Sequence, residues 1–273
     1  MTSELRQRII TALLLLPVVV WCVFLAPDAT AFASFAGAIV IVGAWEWTRL
    51  MGWMSVAPRV LYVVLLALLL VSMRLPELAG FEPVLYMLSA GFWLLALRLV
   101  TGYPDNASLW ARAWLLAPVG LVLLLPAWLG LTSLHAVSPW WLMFLFLLVW
   151  GADTGAYFAG RALGKNKLAP AVSPGKTIEG MVGGLALALA IALAVAIWRD
   201  LSGIRLMAFM GLCLLTSLAS VLGDLFESMT KRHAGIKDSG NIFPGHGGAL
   251  DRIDSLTAAA PVFALGWWLA GGF

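Results

Sequence analysis

Charge is the scarcest thing in this 273-residue chain: Asp, Glu, Lys and Arg together make up 11% of it. Cysteine is almost missing, with Cys22 and Cys213 alone and both inside apolar runs, which excludes a disulfide framework and a cysteine-built metal cluster and leaves them as packing residues. Histidine is held to three residues, and His246 has no neighbour at ligand spacing beyond His233, so zinc is poorly served. No basic domain extends beyond the apolar runs, which argues against a nucleic-acid partner. Nor do those runs alternate apolar with polar residues, which excludes a membrane β-barrel. No internal repeat or low-complexity linker divides the chain.

What is there is hydrophobic: 62% of residues are apolar, with a mean hydropathy of +0.95. Runs of about 20 apolar residues are the length that crosses a bilayer as a helix. They predict an all-α, polytopic integral membrane protein of about nine transmembrane helices, near 8–25, 29–50, 59–75, 82–100, 110–133, 138–160, 177–198, 203–225 and 254–272. The third run is short enough to tilt or to lie at the interface. Arg6 and Arg8 ahead of the first run, with Ala29-Thr-Ala31 after it, also suit a signal peptide. The length of the run and the spans that follow directly favour a membrane segment.

With the N-terminus in the cytoplasm, all basic residues except Arg74, Arg199 and Arg205 fall on the cytoplasmic side, as the positive-inside rule requires. The net charge of +3 matters less than this placement, since a basic inner face suits anionic headgroups and phosphorylated solutes. The predicted location is the inner (cytoplasmic) membrane.

The two halves differ in polarity. Residues 1–135 read as a transmembrane scaffold whose main intramembrane charge is Glu46, between Trp45 and Trp47; residues 136–273 read as the catalytic region. There the spans carry Asp153, Glu179, Asp224 and Glu227 near their cytoplasmic ends, where carboxylates are costly unless they meet cations, metal or water. Gly151, Gly155 and Gly160 in the sixth span and Gly180, Gly183 and Gly184 in the seventh predict close helix approach. Trp140, Trp141, Trp267 and Trp268 are expected to anchor at the interface.

Asp224 and Glu227 lie three apart at the predicted end of the eighth span, and Asp251 and Asp254 repeat the spacing at the start of the ninth. Two acidic helix ends can converge on a hard cation such as magnesium; a solvated helix end is the plainer alternative. Between them, Pro244-Gly-His-Gly-Gly248 is a permissive loop able to bring backbone N–H groups to phosphate. Three roles stay open for His246: binding phosphate, donating a proton or capping the loop. Ser173-Pro-Gly-Lys-Thr177 ends like a P-loop, yet Pro170 stands where Walker A needs glycine. Lys176, the Ser173 and Thr177 hydroxyls and the helix N-terminus remain as a candidate anion site, against an ordinary helix cap with a snorkelling lysine.

From Ser228 to Asp254 the sequence follows S-x-x-K-R-x4-K-D-x-[GSA]-x2-[LIF]-P-x-H-G-G-x-x-D-R-x-D. On this stretch, with Ser173–Glu179 and Leu222–Ser228, the chain resembles the phosphatidate cytidylyltransferases, also called CDP-diacylglycerol synthases. Thr230 and Ala249 stand where the family usually has a larger apolar residue, a difference of packing rather than chemistry. The resemblance implies transfer of a cytidylyl group from CTP to phosphatidate, giving CDP-diacylglycerol and pyrophosphate, with Mg²⁺, a second cation at the site and a homodimer.

The expected metal ligands are Asp224, Asp251 and Asp254, with Asp238 and Glu227 as weaker candidates. Asp224, Asp251, Lys237 and His246 are the candidate catalytic residues, and Ser173, Lys176, Thr177, Lys231, Arg232 and Arg252 the candidate phosphate binders. A transporter would carry polar residues through to the far face, whereas here they stop near one side. A headgroup transferase using another activated donor is the second rival.

Overall fold

The computed structural model describes residues 17–25, 28–78, 80–243 and 247–273. Residues 17–24 are helical; the rest of the first predicted span lies outside the described residues. Helices α1 (Ala29–Leu50), α2 (Val56–Ser72) and α3 (Glu82–Thr101) lead through a single turn, α4 (Ala107–Trp110), to α5 (Ala113–Val137) and α6 (Pro139–Leu163). A two-stranded antiparallel hairpin, β1 (Lys167–Ala169) and β2 (Ser173–Thr177), then enters α7 (Ile178–Trp198), followed by α8 (Gly203–His233) and α9 (Leu250–Leu269).

Each remaining predicted span coincides with a helix. Six helices, α1, α3 and α5 to α8, are long and apolar enough to cross a bilayer, and α2 is a shorter apolar helix of 17 residues. α9 falls outside that set with Asp251, Arg252 and Asp254 in its first turns.

Lipid supplies no hydrophobic drive between helices, so packing rests on small residues that let backbones touch. α6 and α7 make the closest pair: a side chain at Gly155 would meet the Gly183 carbonyl oxygen at 2.7 Å, and one at Gly184 would strike the Ala152 carbonyl. Gly223 plays the same part between α8 and α9, where a Cβ would stand 2.6 Å from the Asp254 carbonyl oxygen. That approach sets the neighbouring Asp224 beside the first turns of α9.

α8 runs past its predicted end at residue 225 to His233. Its 31 residues span about 46 Å, longer than a hydrocarbon core of about 30 Å. Polar residues that read as loop are helical here because Lys231 reaches back one turn to Glu227. The helix stops at Gly235, whose φ of +72° only glycine adopts cheaply. Gly235 N–H donates to the Arg232 carbonyl at 3.1 Å and Ile236 N–H to that of Lys231 at 3.0 Å, a Schellman ending.

Cys22 and Cys213 are free and buried, as packing residues should be. Trp140 and Trp268 are exposed. Trp141 is not an interface anchor but buried, 4.4 Å centroid to centroid from Trp267 and packed with Phe144 and Phe209, because the ends of α6, α8 and α9 meet there.

Candidate active site

The polar residues collect where β2, α6, α8 and α9 meet. β2 carries Lys176, whose ammonium donates to Asp224 Oδ2 at 2.5 Å; Ser228 Oγ, one turn on, donates to Asp224 Oδ1 at 3.2 Å. Thr177 is the N-cap of α7, its buried hydroxyl accepting from Gly180 N–H at 3.1 Å. The hairpin is latched by Glu179, which accepts from the backbone of Lys165 at 3.1 Å and from the Asn166 side chain at 2.6 Å. Lys176 is thus presented by a strand feeding a helix, not by a phosphate-cradling loop.

Lys231 lies deeper. Its ammonium donates to Glu227 Oε2 at 3.0 Å and to Asp251 Oδ1 at 2.6 Å, and all three side chains are buried. Asp251 Oδ2 is satisfied in turn by Ser239 N–H at 2.9 Å, Ser239 Oγ at 2.9 Å and Gly248 N–H at 2.7 Å. Gly247, at φ +78°, must be bare because a Cβ would meet that carboxylate.

Asp254 accepts from Ser255 N–H at 2.7 Å and lies within electrostatic reach of Asp224 and Glu227. Asp153, on α6, is within the fields of Asp224, Lys176 and Arg252. Together, Asp153, Asp224, Glu227, Asp251 and Asp254 meet the cations Lys176, Lys231 and Arg252, so acid exceeds base. Among the described residues, no three His, Cys, Asp or Glu side chains converge as a ready metal cage.

The donor set nevertheless fits a hard cation. Its oxygens are carboxylate oxygens, it has an excess of negative charge, and Glu227 Oε1 is buried with no hydrogen-bond partner. Asp224, Asp251, Asp254, Glu227 and Asp153 are the carboxylates gathered here; both oxygens of Asp224 and of Asp251 already have protein donors, whereas Glu227 Oε1 has none.

Beside the cluster, α6, β2 and α7 enclose a cavity of about 400 Å³ with Asp153, Lys176 and Thr177 among its polar lining and Leu168, Met181, Leu185 and Val221 among its apolar lining. Tyr157 and Arg161 line it as well, joined by a 3.1 Å hydrogen bond from guanidinium to phenol oxygen.

The other predicted residues scatter around this centre. Ser173 is half-buried on β2. Arg232 is exposed and ties the hairpin to the end of α8, donating to the carbonyls of Val172 and Ile236, each at 3.3 Å. Lys237, Asp238 and Arg252 are exposed, and His246 lies outside the described residues. Sequence reasoning left Glu46 in the scaffold, but the structure brings it to the same loop: it accepts from Ser239 Oγ at 3.1 Å, Ala249 N–H at 3.1 Å and Leu250 N–H at 2.8 Å. The available signal was a lone carboxylate in an apolar helix, which lipid tolerates only with partners.

The model of the family described as "Cytidylyltransferase family" matches residues 6–269. The chain is 51% identical over 271 residues to a phosphatidate cytidylyltransferase of Pseudomonas aeruginosa, covering 98% of each. A Haemophilus influenzae protein of the same name is 41% identical, covering 95% of this chain and 97% of its own length. One from Brucella melitensis is 37% identical, covering 96% and 93%.

Proposed function

The chain belongs to the cytidylyltransferase family, and we propose that the cavity and carboxylate cluster at the α6–β2–α8–α9 junction form its active site. The protein transfers a cytidylyl group from CTP to phosphatidate, yielding CDP-diacylglycerol and pyrophosphate, a step of phospholipid biosynthesis carried out in the membrane. The observation that carries the assignment of the site is the Lys176–Asp224 pair, part-exposed, with Lys176 lining a cavity that has both charged and apolar walls.

A phosphatidate phosphate oxygen attacks the α-phosphorus of CTP, a new P–O bond forms, and the bond to the β-phosphate breaks with its electron pair leaving on pyrophosphate. A phosphate monoester is anionic near neutral pH, so positioning and charge neutralisation carry the rate rather than a strong base. Lys176 exchanges part of its contact with Asp224 for a substrate phosphate. Arg252, exposed in the first turn of α9 and within the field of Asp153, supplies a second positive charge. Lys231 holds Glu227 and Asp251 in place, and Thr177 fixes the strand-to-helix corner from which Lys176 reaches. Residues 136–273 carry these groups on the scaffold of 1–135.

Asp224, Asp251 and Asp254, with Glu227 and Asp153 adjoining, would hold Mg²⁺, which when bound would offset negative charge on the phosphates. The site faces the cytoplasm across the inner membrane, the orientation that the basic residues favour. The same proposal includes a homodimer and a second cation at the site.

The test is incubation of purified protein with labelled CTP and phosphatidate, with and without Mg²⁺. CDP-diacylglycerol forms only with the metal, and Asp224→Asn abolishes pyrophosphate release while the protein stays folded. Full activity in that variant overturns the site assignment.

A further inference from the structure

We infer that Glu46, on α1, is a positioning residue for the reaction: its carboxylate caps α9 from the other half of the chain and so fixes where Asp251 and its neighbours point. The inference rests on the site proposed above and adds to it a residue outside the catalytic region.

The geometry is specific. α9 begins at Leu250 after Ala249, which has no side chain able to cap, so the first N–H groups of the helix lack a local acceptor. Glu46 supplies one from some 200 residues away, Oε1 taking Ala249 N–H and Oε2 taking Leu250 N–H. A carboxylate at a helix N-terminus also meets the positive end of the helix dipole. Glu46 is 3% exposed and makes no ion pair among the described residues; the nearby Arg49 instead donates to the Ser239 carbonyl at 3.4 Å. The chain is shaped around it, since a Cβ on either Gly240 or Gly248 would collide with its carboxylate.

Ser239 couples the two carboxylates. Its Oγ stands 3.1 Å from Glu46 Oε2 and 2.9 Å from Asp251 Oδ2, and its one hydroxyl proton can serve only one at a time. Gly248 N–H serves Asp251 while the next two N–H groups serve Glu46. Displacing Glu46 therefore releases the loop that orients Asp251, and with it Lys231 and Glu227.

The decisive variant is Glu46→Gln, which keeps the shape but turns an amide N–H₂ toward one of the two backbone donors. In detergent-solubilised protein, kcat falls about 10- to 100-fold, the size seen when an outer partner of a site residue is lost, while KM for CTP changes by less than about threefold. Amide exchange at Gly248, Ala249 and Leu250 accelerates, a readout independent of turnover. Wild-type kcat with unchanged exchange overturns the inference, as does a loss confined to thermal stability. Should Glu46→Gln fail to fold, Ser239→Ala decides: a drop in kcat supports the coupling, and a wild-type rate removes it. If the unmodified protein does not convert CTP and phosphatidate, the proposed function fails, while exchange at 248–250 still judges the role of Glu46.

Discussion

Two lysines answer carboxylates at this site in opposite ways. Lys176 meets Asp224 with the two side chains 29% and 28% exposed, at the edge of a cavity. Lys231 meets Glu227 and Asp251 with exposures of 9% and at most 5%, inside the α8–α9 contact. The chemistry of the pairs is the same, and solvent access separates them. An accessible ion pair gives little net stability and exchanges partners readily, which suits a group that must take and release phosphate. A buried triad cannot lose a member cheaply, because the charge left behind is stranded away from water. The open pair is accessible from the cavity, and the closed one ties α8 to α9.

That contrast can be broken most severely at Lys231. Lys231→Ala strands Glu227 and Asp251 and is expected to cost about 3–5 kcal/mol of stability, read as a lower melting temperature in detergent; an unshifted melt dissolves the distinction. Lys176→Ala should do the reverse. Its melting temperature stays near that of the unmodified protein, while kcat/KM falls roughly 10²- to 10³-fold, the loss typical when one charge-stabilising group is removed from a transfer site. Unchanged kinetics would take Lys176 out of the site. A smaller effect comes from the framework that holds the open pair: Gly184→Leu drives a side chain into the Ala152 carbonyl and should cost about 1–3 kcal/mol by overpacking. Smallest is Gly235→Ala at the end of α8, expected to cost about 1–2 kcal/mol for the left-handed backbone, with Lys176-dependent activity retained; a melting scan beside an activity assay checks both.

The helices were legible because lipid leaves so few solutions: an apolar run of sufficient length has little else to become. The end of α8 was not, since Glu227 and Lys231 look like loop residues until they are seen to pair along one helical face. The hairpin before α7 was hidden because Ser173-Pro-Gly-Lys-Thr177 carries turn residues, and its pairing of Ala169 with Ser173 is a short-range contact with no apolar alternation to announce it. For the site, the acidic spacing at the ends of α8 and α9 marked residues that do lie near one another, but spacing cannot say which donors each carboxylate meets. Asp251 reads like Asp224 in sequence, yet one of its oxygens takes three donors in the loop, while Asp224 meets Lys176 and Ser228.

Glu46 also bears on how the protein is assembled. A ribosome delivers α1 to the membrane 193 residues before Ser239 and 204 before Leu250 exist. During that interval the carboxylate has none of its final donors, and an unsatisfied charge is poorly tolerated in lipid. α1 is therefore inserted before the bonds that satisfy its carboxylate can form, and Glu46 is fully paired only once the start of the last helix has been made.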